Sequence, residues 1–287
     1  MNCKNCGSSK IVKIGKVNDK QRYRCKDCGK TFIDNDNFEG MRTQKHIIGF
    51  AMDLYFDGMS VRKIQRQTAY LFKVKVSQVA IHKWITKYSI LTKEFVDTLK
   101  ADLGDVWHTD ETAIKVKGKQ KWFWEIIDAR TRFMVAEHLS NTRTIKDSYV
   151  LFRDARKMAI KKPKIIYADG CFAYQKGFKK VFYSNERNKT LLIQNVGING
   201  RVHQNMVERL HGSFKDMIRA RRGLDSSTAT KAMLDGWFVY YNFLRPHSAL
   251  KGKTPAEVAG IKLDLTNRWE SLIDLATKWK NEKSSSV

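Results

Sequence analysis

Val106-Trp107-His108-Thr109-Asp110-Glu111-Thr112 sets two carboxylates inside a run that otherwise reads as a buried strand, continued by Ile114 and Val116. Aspartate is a poor strand residue, and a buried carboxylate is costly unless a proton, a partner or a metal compensates it. One reading puts Asp110 or Glu111 at a strand end facing water, where most acids lie. The other makes one of them a ligand. Side chains alternate along a strand, so Asp110 and Glu111 face opposite sides. His108 shares the face of Asp110. The rest of the chain decides between the two readings.

Downstream, Asp105 to Val116, Lys121 to Ala129 and Arg132 to Leu139 are apolar, aromatic runs separated by turns at Lys117-Gly118-Lys119 and Arg130-Thr131. Three such runs in succession predict an antiparallel meander. Thr144 to Ile160 has helical spacing, and Lys164-Ile165-Ile166-Tyr167-Ala168 is a short apolar run suited to a buried parallel strand. Asp169-Gly170 follows directly, so a second carboxylate sits at a strand tip; a plain turn aspartate is the alternative. Phe172 to Tyr183 reads as a helix and Thr190 to Ile193 as a fifth strand.

Gln204 to Arg222 is helical, with Met206, Leu210, Phe214 and Met217 on one face and Glu208, Lys215, Arg219 and Arg222 on the other. Ala229 to Phe243 is a further helix, and Leu265 to Trp279 a final amphipathic one that packs on the core or on another subunit. This element order is that of a ribonuclease-H-like core: α/β, with a mixed five-stranded sheet and helices, over residues 100–260. A C-terminal helix and tail occupy 261–287.

Upstream, Cys3-Lys4-Asn5-Cys6 and Cys25-Lys26-Asp27-Cys28 are two Cys-x-x-Cys pairs. Four thiolates on two tight knuckles suit one tetrahedral structural zinc ion, and the spacing matches a zinc ribbon over residues 1–36. Lys10 to Ile14 and Gln21 to Arg24 read as its hairpin. Two disulfides are the alternative, disfavoured in a cytosolic chain. Cys171 has no partner at ligand spacing and reads as a packed thiol.

Over residues 41–92, Lys45 to Phe56, a stretch capped by Ser60 and another capped by Ser77 predict three short helices. Arg62, Lys63, Arg66, Lys73, Lys75, Lys83 and Lys87 make this unit basic. A helix-turn-helix is expected, its last helix carrying Lys83 and Lys87 into the major groove.

Composition narrows the partner. The 287 residues hold 54 Lys and Arg against 29 Asp and Glu, a formal charge of +25 spread along the chain. Such an excess favours a polyanion, nucleic acid by default; a basic protein without such a partner is the bland alternative. No segment approaches the roughly 18 apolar residues of a membrane span, and the N-terminus lacks the apolar stretch of a signal peptide. The expectation is a soluble, cytoplasmic protein with no membrane partner.

In the ribonuclease-H-like arrangement, Asp110 and Asp169 would lie on neighbouring strands, and a carboxylate from a later helix could complete a cluster. Clustered carboxylates raise one another's pKa unless hard divalent cations neutralise them. Oxygen donors suit Mg2+ or Mn2+, and two such ions about 3.5–4 Å apart support in-line phosphodiester displacement.

At four motifs the chain resembles DDE transposases of prokaryotic insertion sequences, with a retroviral-integrase-like core. These are Thr109-Asp110-Glu111-Thr112, Tyr167-Ala168-Asp169-Gly170, Asn205-Met206-Val207-Glu208-Arg209 and Tyr241-Asn242-Phe243-Leu244-Arg245-Pro246-His247. The resemblance implies the catalytic, metal-binding triad Asp110, Asp169 and Glu208, and maps the family's basic residue seven places after the Glu onto Lys215. It implies that water activated between the carboxylates hydrolyses the element's end, and that the freed 3′-hydroxyl attacks target DNA. Lys215, Arg219 and Arg222 would hold phosphates, and Asn205 accompanies Glu208 in its motif on the DNA side. The N-terminal modules would select the terminal inverted repeats, with a homodimer or higher oligomer on paired ends.

The 38 residues between Asp169 and Glu208 exceed the family's commonest spacing, which implies a longer loop around Ser184 to Asn188. Glu186 in that loop is the rival third acid. A DNA-binding protein with a catalytically inactive core is the alternative function, and a nuclease of the same fold a third.

Overall fold

The structure is a computed structural model that describes the chain apart from residues 1, 4, 18–19, 34–36, 39, 184–188, 195–200, 220, 222–223, 225–226 and 286–287. The side chains at 20, 201–205, 227 and 285 are also left aside.

β1 (Ile11–Val17), β2 (Lys20–Cys25) and β3 (Thr31–Ile33) form a small antiparallel sheet. The expected hairpin is present, and a third strand pairs Tyr23 with Phe32. Each cysteine knuckle is followed by a glycine in left-handed conformation, Gly7 at φ 74° and Gly29 at φ 69°. There a side chain would be strained.

α1 (Lys45–Phe56), α2 (Val61–Phe72) and α3 (Gln78–Val96) are the three expected helices. Ser77 caps α3 by accepting from the Ala80 amide at 3.1 Å, while Ser60 occupies the N-cap of α2 without a side-chain bond. α3 is longer than its sequence signal and runs past residue 92 toward the core. Its Lys93 is bonded to Asp97 and lies 4.5 Å over the Phe238 ring. A Cβ on Gly236 would meet Ser89 Oγ at 2.2 Å, so the helices cross too closely there for any side chain. The C-terminal helix (Trp269–Ser285) packs on α1 and α3, with Lys45 bonded to Asp274 and Arg268, just before the helix, to Asp53.

The central sheet holds β4 (Val106–Val116), β5 (Lys119–Asp128), β6 (Met134–Ser140), β7 (Ile165–Ala168) and β8 (Leu191–Gln194) in the order β6-β5-β4-β7-β8. The first three are antiparallel neighbours; β7 and β8 run parallel to β4. This is the mixed ribonuclease-H-like sheet expected from the element order. β4 and β5 join through Lys117-Gly118, both at positive φ, as a two-residue hairpin with native twist requires.

α4 (Ile145–Met158) and α5 (Phe172–Phe182) cover one face of the sheet. α6 (Arg201–Arg219) packs on the other, where Phe214 stacks on Phe123 at 4.5 Å between ring centroids. Cover on both faces explains why Trp107 and Trp124 on the α5 side and Phe123 on the α6 side are all fully buried. α7 (Ser227–Val239) passes into a π-helical turn, Tyr240–Leu244, where a continuous α-helix was expected to Phe243. Asn242 fixes that turn to β6, with Oδ1 accepting from the Met134 amide and Nδ2 donating to the Met134 carbonyl. A buried side chain satisfied this way selects the turn over regular helix.

Candidate active site

β4 and β7 pair with His108 opposite Tyr167. Two residues further along each strand stand Asp110 and Asp169, so the register sets them level on adjacent strands. β7 ends at Ala168, and the Asp169 carboxylate accepts from the Cys171 amide at 2.9 Å as the chain turns into α5. Gln194 steadies this turn by donating to the carbonyls of Asp169 and Cys171, both at 3.0 Å. The side chains of Asp110 and Asp169 are 29% and 32% exposed, open enough to meet a ligand. Burial pushes the Asp110 carboxyl up to about 6, opposed by His211 and assisted by the charge of Asp169.

On the Asp110 face, Glu125 is its cross-strand neighbour and is fully buried. His211 of α6 reaches both acids, with Nε2 2.9 Å from Glu125 Oε2 and Nδ1 3.8 Å from Asp110 Oδ2. The Glu125 contact is a close ion pair without hydrogen-bond alignment. Burial disfavours the imidazolium, yet Glu125 and Asp110 together raise the His211 pKa. His108, on the same face, is buried and stacked on Tyr167 at 5.4 Å.

On the other face, Glu111 is buried and held by Tyr174, whose hydroxyl donates to Oε2 at 2.5 Å, and by the Arg143 guanidinium at Oε1. Arg143 stacks over Trp122 at 4.5 Å and reaches within 3.8 Å of Asp169 Oδ2. Cys171, expected as an isolated packed thiol, lies beside these acids: donor atoms of Glu111, Asp169 and Cys171 are within 4.8 Å of one another.

Residues 104–247, half of the chain, match a family of DDE domains of the IS240 transposase type. The chain belongs to this DDE transposase family. A curated relative, an uncharacterized protein of Methanocaldococcus jannaschii, is 26% identical over 136 residues, which are 47% of this chain. The chain spans 60% of that relative's length. Among solved structures, the HTLV-2 integrase catalytic core domain in complex with magnesium is 16% identical, with a TM-score of 0.39 over 56% of this chain and 97% of its own. The BIV integrase catalytic core domain is 18% identical, with a TM-score of 0.39 over 54% of this chain and 93% of its own.

Within the DDE domain the three expected acids are not gathered equally. Asp110 and Asp169 are neighbours. Glu208 is exposed on α6, one turn before His211; among the described residues Asp169 alone of the three belongs to a group of three donors within 4.8 Å, with Glu111 and Cys171. Lys215 is exposed one turn after His211, and its charge acts on that imidazole. Arg219 is exposed and paired with Asp216 at 3.1 Å. Arg222, Glu186 and the side chain of Asn205 lie outside the described residues. Lys83 and Lys87 are exposed on α3, with Lys87 over the Tyr88 ring at 5.3 Å.

The donor sets suit two kinds of metal. Level, half-buried carboxylates with raised proton affinity at Asp110 suit a hard divalent cation. In the N-terminal sheet, the Sγ atoms of Cys3, Cys6, Cys25 and Cys28 all lie within 4.8 Å, with Cys3–Cys28 and Cys6–Cys25 at 3.6 Å. Tetrahedral zinc with Zn–S bonds of 2.3 Å needs Sγ atoms about 3.8 Å apart. Donation from the Lys30 amide pulls the Cys28 thiol down, while the neighbouring thiols push Cys6 up, so the four cysteines share their protons as one cluster until a metal displaces them.

Sequence reasoning missed Glu125, His211, Arg143 and Tyr174. Glu125 carried the same signal as Asp110, an acid inside the apolar run Trp122 to Ile127. His211 follows Glu208 by three residues, hence on the same side of the helix. Arg143 and Tyr174 had no local signal.

Proposed function

We propose that the chain is a transposase that binds the terminal inverted repeats of an insertion sequence and catalyses metal-dependent DNA strand cleavage and strand transfer. The carrying observation is the level Asp110–Asp169 pair inside a matched DDE domain. The excess of 25 positive charges and seven exposed cations on α2, α3 and the loop between them support a DNA partner.

In this reading Asp110, Asp169 and Glu208 hold two Mg2+ or Mn2+ ions, which supply nucleophile activation and charge stabilisation at the scissile phosphate. The residues around them orient the pair. His211, fixed by Glu125, faces Asp110 from α6, and Arg143 neutralises Glu111 and Asp169 from the opposite side. Lys215, Arg219 and Arg222 contact phosphates, which gives affinity and register rather than sequence reading. Lys83 and Lys87 on α3 approach DNA, and Asn205 accompanies Glu208. One zinc ion on the four cysteines stiffens the N-terminal sheet, and two or more copies act on paired ends in the cytoplasm of a prokaryote. Among the described residues no helix is long and apolar enough to cross a membrane.

The test is a strand-transfer reaction with duplexes carrying the element's own ends and a supercoiled target plasmid. Joined products flanked by short target duplications, formed only with Mg2+ or Mn2+, are expected. Tight end binding with no cleavage in either metal would favour the DNA-binding protein with an inactive core.

A further inference from the structure

A cleft of about 340 Å3 lies beside α6, away from the carboxylate pair. Its walls come from three separate elements: Arg132 in the β5–β6 connection, Arg209 and Ser213 on α6, and Tyr241, Arg245 and His247 around the π-helical turn. Arg209 and Ser213 sit roughly 100° or more around the helix from Glu208, His211 and Lys215, at 3.6 residues per turn. α6 therefore divides the candidate active site from the cleft.

Three features mark the cleft as built for an anion. Among the described residues no carboxylate pairs with Arg132, Arg209 or Arg245, and no acid lines the walls. Gathering three unpaired guanidinium groups costs repulsion that a bound phosphate would relieve, and arginine's planar fork matches phosphate oxygens. Secondly, Arg132 holds φ at 60°, a left-handed conformation that glycine or asparagine adopts more cheaply. Retaining a long cation there at a backbone cost points to a use for its side chain. Thirdly, the wall opposite Arg209 is a π-helical turn, a local distortion that recurs at functional sites, held by Asn242 on β6. His247 is braced in the same wall by its contact with the Tyr241 carbonyl at 3.2 Å, and burial pushes its pKa down to about 4.

We infer that the cleft formed by Arg132, Arg209 and Arg245 binds backbone phosphates of the DNA, on the far side of α6 from the reacting phosphate. The inference rests on the reading of the chain as a DNA-acting enzyme. A strand leaving the carboxylate pair crosses α6 and is gripped a second time, which fixes its direction through the site. The contact is to phosphate, so it is independent of base sequence.

The experiment is fluorescence anisotropy of the full chain with a labelled DNA duplex of mixed sequence, across a salt series, with a matched RNA duplex in parallel. Arg132→Gly, Arg209→Ala and Arg245→Ala are compared with Lys157→Ala on the opposite face of the sheet. Each cleft variant is expected to weaken DNA binding and flatten the salt dependence by about one logarithmic unit per arginine removed, while Lys157→Ala matches the parent. Arg132→Gly is decisive, because the glycine relieves the left-handed backbone: thermal stability holds or rises while binding falls. Cleft variants that bind DNA with the parent's affinity and salt slope overturn the inference, as does a loss confined to the RNA duplex. A parent chain that fails to bind DNA even at low salt overturns the underlying functional reading as well, so the two failures are distinguishable.

Discussion

His211 Nε2 lies 2.9 Å from Oε2 of Glu125, a residue with no solvent exposure on the central strand of the meander. Removing one partner of a buried pair strands the other charge, typically at about 3–5 kcal/mol. His211→Ala is therefore expected to destabilise the protein by about 3 kcal/mol in urea unfolding. Adding Glu125→Gln should recover much of that loss, because the amide carries no charge. A His211→Ala variant with the parent's midpoint would show that Glu125 does not depend on His211.

Asp235 on α7 is pushed up to about 6 by burial, against the pull of Lys93 and Lys231. Between about pH 4, the unfolded carboxylate range, and pH 6 the folded chain holds this proton and the unfolded chain does not. Stability from this group is thus complete below about pH 4 and falls as pH rises through 6. Asp235→Asn should flatten the fall by at most roughly 3 kcal/mol, read as the difference between parent and variant stability curves. Parallel curves would contradict the assignment.

The strand carboxylates were legible because their signal is local: an acid inside or at the tip of an apolar run. The fold was legible for a related reason, since apolar runs bounded by turns marked all five strands of the main sheet and helical spacing marked the helices around it. What the chain hid was pairing across distance. Nothing near Glu111 announces that Arg143 and Tyr174 will hold it, and Glu125 meets its histidine 86 positions later. The π-helical turn depends on Asn242 finding Met134, and the extension of α3 past residue 92 on Lys93 finding Asp97 and Phe238. β3 is only three residues long, too short to show a period.

The third acid is open to direct comparison. With Glu208 as ligand, Glu208→Gln lowers strand cleavage at least 100-fold, about 2.7 kcal/mol in the barrier, while Glu186→Gln cleaves like the parent. The reverse ranking would move the role to the loop.

Four free thiols within 4.8 Å predict one zinc ion per chain, measured by atomic absorption. Cys25→Ser should lose that ion and expose residues 1–33 to protease, while the DDE domain keeps its melting transition. A protease-resistant N-terminal sheet without metal would remove zinc from the account.

The level pair Asp110 and Asp169 carries the central claim. Its most direct test is the rate of Mg2+-dependent nicking of an end-bearing duplex by Asp169→Ala, with end affinity measured on the same preparation. Nicking reduced at least 100-fold, about 2.7 kcal/mol, at unchanged affinity is expected. Nicking at the parent's rate would contradict it.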